Sequence, residues 1–83
     1  MLLAGCGTDD EMVKNQALAS QKLAYAFMSE GRPARALQEL TKAESLTPND
    51  PEIKNFLGLA YWKQGEFPLA EKKFREAVEL RTN

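Results

Sequence analysis

The 83-residue chain has no histidine, a single cysteine and a single tryptophan. Without histidine it lacks the side chain that most often moves protons near neutral pH. Cys6 has no partner for an internal disulfide, and one cysteine without histidine gives no zinc-cluster spacing. No apolar run approaches the ~18 residues that a membrane span requires. Charge of one sign is also missing: 11 Lys+Arg face 12 Asp+Glu, interspersed along the chain, for a net charge of −1. Nucleic-acid binding draws on a concentrated basic face, and none is visible. There is no phosphate loop and no nucleophile–base pair in the pattern. These absences lead us to expect no catalysis, no metal, no cofactor and no nucleic-acid partner.

Hydrophobic residues make up 43% of the chain, too many for a disordered polymer. They are also arranged in a repeat. LAYAFMSEGRPARALQELTKAESLTPN, from Leu23, aligns with LGLAYWKQGEFPLAEKKFREAVELRTN, from Leu57, at an offset of 34 residues. That offset sets Leu23 on Leu57, Ala26 on Ala60, Phe27 on Tyr61 and Gly31 on Gly65. It then sets Ala36 on Ala70, Leu40 on Phe74, Ala43 on Ala77 and Leu46 on Leu80. Repeats come before other readings because they determine the architecture.

Each unit reads as two helices. Ile53, Leu57, Ala60 and Tyr61 follow the i, i+4, i+7, i+8 spacing of one apolar stripe. Gly65 then supplies a stop, and Ala70, Phe74, Ala77 and Val78 form the stripe of the next helix. The first unit repeats the scheme with Leu23, Ala26 and Phe27, then Gly31, then Ala36, Leu40 and Ala43. Pro33 suits a first helical turn, and TPNDP between the units is a turn in which Asp50 caps and Pro51 opens a helix. Thr8 and Glu11 have capping-box spacing, so the first helix is expected to begin near there and to carry Met12, Val13 and Ala17 on its apolar side. Small residues at Ala26, Ala36, Ala60 and Ala70 let helices approach, while Leu40, Phe74, Phe27 and Tyr61 fill the space between them. The pairs Glu71/Arg75, Lys72/Glu76 and Arg35/Glu39 stand four apart on helix surfaces.

A 34-residue helix–turn–helix period with this alternation resembles the tetratricopeptide repeat. The second unit matches that family's pattern at Leu57, Gly58, Tyr61, Gly65, Ala70, Phe74 and Ala77, with Lys54 where an aromatic is usual and Thr82 where proline is usual. The first matches at Leu23, Ala24, Phe27, Gly31, Ala36, Leu40, Ala43 and Pro48, with Ser20 in place of the aromatic. The resemblance implies an all-α fold: two antiparallel helix–turn–helix units stacked as a short right-handed superhelical array. The expected repeat domain covers residues 12–83, with repeat 1 at about 17–50 and repeat 2 at about 51–83. Such arrays usually need about three repeats to be stable. Part of a longer array, a self-associating pair through the exposed last helix, and a marginal minidomain are the three readings that follow. The first is preferred.

The resemblance also implies a peptide-binding surface made by the first helix of each unit. By analogy it would be lined by Gln21, Tyr25, Met28 and Ser29 in the first unit and by Asn55, Leu59, Trp62 and Lys63 in the second. Tyr25, Met28, Leu59 and Trp62 lie off the main stripe, and aromatic and methionine side chains are common interface anchors. Core packing competes with ligand contact for Trp62 and Tyr25. Where some family members grip a C-terminal carboxylate, this chain has Gln21, Tyr25 and Phe56, so that clamp is not expected.

Finally, Leu3-Ala4-Gly5-Cys6 resembles the lipobox of bacterial lipoproteins. In that family the cysteine sulfur carries diacylglycerol and the peptide before it is removed. The resemblance implies lipid attachment at Cys6, residues 1–6 as the end of a signal peptide whose translation starts upstream, and residues 7–11 as a polar tether. Gly7 follows the cysteine, not the aspartate that retains some lipoproteins in the inner membrane, so the implied location is the periplasmic face of the outer membrane. The order of cysteine, tether and repeats is similar to lipoproteins of type IV pilus secretin assembly. The alternative is a cytosolic adaptor with an unmodified Cys6.

Overall fold

The computed structural model describes the backbone of residues 2–82 and the side chains of residues 10–82. Four helices follow one another: α1 (Leu2–Ser29), α2 (Pro33–Leu46), α3 (Pro51–Lys63) and α4 (Phe67–Thr82). They form two helix–turn–helix units, as the repeat implies.

Local chemistry sets most of the boundaries. Gly31 and Gly65 have φ of +74° and +79°, a region that costs L side chains strain, and each ends the first helix of its unit. The same pair of bonds closes both ends. Arg32 N donates to Phe27 O at 2.8 Å and Gly31 N to Met28 O at 3.0 Å, while Glu66 N donates to Tyr61 O at 2.9 Å and Gly65 N to Trp62 O at 3.0 Å. Between the units, Glu52 N donates to the Asp50 carboxylate at 2.9 Å, and Pro51 opens α3 as expected. Pro33 opens α2. At the front of the chain the structure departs from the capping-box reading: α1 begins at Leu2, ahead of Thr8, and the segment 7–11 continues the helix. No helix among the described residues is long and apolar enough to cross a membrane.

The core is a chain of small residues with a few large ones set between them. Ala17, Ala24, Ala36, Leu40, Ala43, Ile53, Leu57 and Ala60 form one buried cluster. Leu40, Ile53 and Leu57 are its largest fully buried side chains, each contributing about 1.5–3 kcal/mol by leaving water. α2 packs on both α1 and α3, and α3 packs on α4. In the first unit the expected stripe is rotated: Ala24 is buried, whereas Leu23 is 46% exposed and Ala26 is exposed. In α4, Ala70 and Ala77 are buried but Val78 is 58% exposed. At both places no other helix among the described residues covers that face.

Gly58 marks the closest approach of α3 and α4. A Cβ on Gly58 would lie 2.6 Å from Cε1 of Phe74. Thirty-four residues earlier the equivalent positions are Ala24 and Leu40, a larger residue on the first helix and a smaller one on the second. The repeats therefore exchange volume across the same contact. Gly58→Ala is expected to destabilise by about 1–3 kcal/mol through overpacking, although alanine by itself favours a helix by about 1 kcal/mol. In a Phe74→Leu background the same change should cost less. A double-mutant cycle by urea denaturation checks this, and additive costs would contradict the volume exchange.

Candidate functional site

α1 and α3 share one face of the molecule, and the structure opens a groove along it. A cavity of about 300 Å³ is lined by Leu18, Gln21, Lys22 and Tyr25 from α1 and by Glu52 and Phe56 from α3. A neighbouring cavity of about 340 Å³ extends it over Lys14, Ala17, Leu18, Gln21, Thr47 and Asp50. Leu18 and Gln21 belong to both, so the groove runs along α1 from Lys14 to Tyr25 against the start of α3. Its apolar part is fixed from below: Phe56 packs partly on the core, and the Tyr25 ring meets it edge-on with centroids 6.1 Å apart. Tyr25 is nevertheless 62% exposed and Leu18 48% exposed. An apolar floor with an exposed aromatic wall and charges of both signs at the rim suits an apolar side chain of a partner.

The expected groove residues divide into three groups. Gln21 and Tyr25 meet in the cavity just described. Trp62 and Lys63 instead line a second, wider cavity of about 610 Å³ with Gly31, Pro33, Gly65 and Phe67, at the edge where both intra-repeat turns lie. Met28 is turned inward and packs partly on the core, so its expected freedom for a partner is not found. Asn55 is half-buried, Leu59 is 38% exposed, and the Ser29 hydroxyl donates to Tyr25 O at 3.1 Å. Core packing did not prevail for Trp62, which is 56% exposed beside Phe67. Phe56, named above only where a carboxylate clamp is absent, lines the groove, and Leu18, Lys22 and Glu52 belong to it but were missed in the sequence. The signal for Leu18 and Lys22 was position: with Gln21 and Tyr25 they form an i, i+3, i+4, i+7 stripe on α1. The Cys6 side chain lies outside the described residues.

On the side where α2, α3 and α4 meet, four charges alternate in sign. Glu44 Oε2 accepts from Lys54 Nζ and Lys73 Nζ, both at 2.6 Å. Glu76 Oε1 stands 3.3 Å from Lys54 and 3.5 Å from Lys73, within ion-pair range although neither donor is aligned on it. The side chains are mostly covered, between 13% and 31% exposed. Burial pushes the Glu44 carboxyl up, but the two lysines outweigh it and hold it below its ordinary 4.5. Glu76 is lowered by the same balance, burial against the two ammonium groups. For Lys54 burial acts downward, and the two carboxylates more than offset it, so its pKa is raised above 10.5. Of the surface pairs read from spacing, Glu71–Arg75 forms at 3.0 Å. Glu76 pairs with Lys73 and not with Lys72. Glu39 pairs with Lys42 at 3.4 Å, while Arg35 lies over the Phe27 ring at 5.2 Å.

The repeated helical hairpins and the groove along their first helices define a helical-repeat interaction module. A comparison with known families matches residues 22–83, more than half of the chain, to the tetratricopeptide repeat. The chain belongs to that family, whose members mediate protein–protein interaction and are not catalysts as a class. No curated protein matches the chain at a significant level.

The charge network makes a pH prediction. Lowered carboxylates contribute stability above their unfolded pKa and lose it as pH falls through the lower folded value. Lys54, raised, contributes below 10.5 and loses its contribution only as pH rises past its folded value. Stability should therefore be level across neutral pH and fall on acidification below about 4.5, the ordinary glutamate value. Glu44→Gln should lower stability at pH 7 and flatten that acid limb, as read by urea denaturation from pH 7 down to pH 3. An acid limb as steep as that of the native chain would remove Glu44 from the explanation.

Proposed function

We propose that this chain is a non-catalytic interaction scaffold held at a bacterial envelope membrane by lipid on Cys6, and that its groove takes an extended or helical peptide anchored by an apolar side chain. The observation that carries the binding half is the groove itself: Leu18 is 48% and Tyr25 62% exposed above Phe56, on the face that the first helices of both repeats share. Exposed aromatic and aliphatic residues gathered around a cavity mark interaction surfaces more often than scattered apolar residues do. The Trp62–Phe67 cavity at the turn edge offers a second contact along the same partner.

The membrane half is supported by Leu3-Ala4-Gly5-Cys6 and by the order of cysteine, short polar segment and repeats. Two or three acyl chains hold a protein firmly where one holds it marginally, since each buried CH₂ contributes about 0.8 kcal/mol. With Gly7 after the cysteine, this reading puts the scaffold on the periplasmic face of the outer membrane. Assembly of a type IV pilus secretin is the narrower role that this architecture favours. A cytosolic adaptor with a free Cys6 is the alternative.

Two experiments test the two halves. Expressed from its native locus with upstream DNA, the protein should incorporate labelled palmitate, and Cys6→Ala should abolish the label. An unlabelled chain of the mass encoded from Met1 would establish the cytosolic alternative. For the groove, a photo-crosslinking residue at Gln21 should capture a defined partner, and Leu18→Asp should reduce that capture several-fold while the helical circular dichroism is kept. Equal capture from Lys42, exposed on α2, would show that the groove is not the binding face.

A further inference from the structure

The two cavities of the groove share Leu18 and Gln21, and each has α1 on one side and the start of α3 on the other. Both walls belong to the described residues, so the groove needs no further helix to form. In the cavity of Tyr25 and Phe56, Lys22 stands on the α1 wall and Glu52 on the α3 wall. In the adjoining cavity, Lys14 stands on the α1 wall and Asp50, the cap of α3, stands opposite. The polarity is the same in both: basic along α1, acidic along the start of α3. Lys14 and Lys22 are eight residues apart, or about 12 Å along the helix.

The fold accounts for the acidic wall more readily than for the basic one. Asp50 accepts from Glu52 N at 2.9 Å, and Glu52 lies in the first turn of α3, where negative charge suits the helix dipole. Lys22 has no such role. The residues three and four positions away on α1 are Leu18, Ala19, Tyr25 and Ala26, none of them acidic. Among the described residues, no ion pair includes Lys14, Lys22, Asp50 or Glu52. Lys22 and Glu52 are both exposed and line one cavity without pairing across it. The cluster of Glu44, Lys54, Lys73 and Glu76, by contrast, is drawn into contacts of 2.6–3.5 Å.

Opposite charges that face each other over an apolar cavity favour an occupant whose own charges are arranged the other way. With the groove taken as the binding face, as proposed above, we infer that its partner is a peptide segment with a fixed charge order. An apolar side chain sits between Tyr25 and Phe56, an acidic residue of the segment faces Lys22, and a basic residue faces Glu52. A second acidic residue, about 12 Å along the segment, meets Lys14. The apolar anchor belongs in the Tyr25–Phe56 cavity because the adjoining one presents polar Gln21 and Thr47.

The two kinds of contact divide the work. The anchor provides most of the affinity, because a desolvated apolar pocket is where binding energy concentrates. The rim charges choose among partners and set which way round the segment lies, since like charges brought together are penalised. Lys22 and Glu52 are therefore the specificity-determining residues of the groove, and Leu18, Tyr25 and Phe56 are its anchor site.

The test pans the full 83-residue chain against phage-displayed random peptides, then measures Kd for the recovered peptides by fluorescence anisotropy. The peptides should share an apolar residue flanked by one acidic and one basic residue. Lys22→Glu and Glu52→Lys should each weaken them several-fold with helical circular dichroism kept, and Lys22→Gln should weaken them less. Lys72→Glu, the same charge change at an exposed position on α4, should leave Kd unchanged. Replacing the acidic residue of the peptide by lysine should restore binding to the Lys22→Glu chain and weaken it on the native one. Added salt should shrink these differences. Two failures are distinguishable. Peptides that lose binding to Leu18→Asp yet bind Lys22→Glu and Glu52→Lys as they bind the native chain leave the groove standing and overturn the charge order. Equal weakening by Lys72→Glu overturns it too, since net charge would then be the cause. If no peptide is retained, or those retained bind Leu18→Asp as well as the native chain, the groove reading falls and the charge order falls with it.

Discussion

The contact between Gly58 on α3 and the ring of Phe74 on α4 shows how this chain holds its helices together. Its core is mostly alanine, so stability depends on close approach and not on a few large side chains meeting in the middle. Close approach needs a small residue at the crossing and a large one opposite to fill the space it leaves. Ala24 and Leu40 occupy the equivalent positions in the first repeat, and Ala17, Ala36, Ala43 and Ala60 extend the same arrangement through the core. The groove follows from it. Because α1 and α3 are each drawn down onto a second helix, their outer faces lie side by side and open the cavity between Tyr25 and Phe56.

The ionic cluster plays a different part. Glu44 on α2, Lys54 on α3, and Lys73 and Glu76 on α4 tie three helices at a point where the apolar core is thin. Four partly covered charges of alternating sign neutralise one another without bringing a lone ion out of water, so the cost of covering them is offset locally. The cluster also fixes register. A slide of α4 along α3 would take Lys73 away from Glu44 and leave a half-buried carboxylate with one fewer partner. Apolar contacts between alanines tolerate small shifts, and these ion pairs do not.

The exposed residues are therefore of two kinds with separate physical origins. Leu18, Tyr25 and Leu59 are exposed because they lie on the outer side of the first helices, and no neighbouring repeat in the same stack would cover that side. Leu23 and Val78 are exposed because no other helix among the described residues covers their side of α1 and α4. The first kind borders the groove, and the second lies on faces turned away from it.

The sequence by itself determined the helices and the repeat. Gly31 and Gly65 end helices because glycine adopts a positive φ without strain, Asp50 and Pro51 start one because of their side-chain and ring geometry, and the offset of 34 aligns two hairpins. Each of these is a local property, readable from neighbours in the chain. The groove was legible only in part. Gln21 and Tyr25 were implied by the family resemblance and line the cavity, but Met28 lies on the inner side of α1, and Leu18, Lys22 and Glu52 meet them only because two helices far apart in sequence come together. Tertiary structure alone decided that Ala24 is buried and Leu23 is not, although both are apolar neighbours on one helix. Periodicity gives the stripe, but burial depends on which side has another helix within reach. The Glu44–Lys54–Lys73–Glu76 cluster belongs with these, since its residues are up to 32 positions apart and acquire one another only through packing.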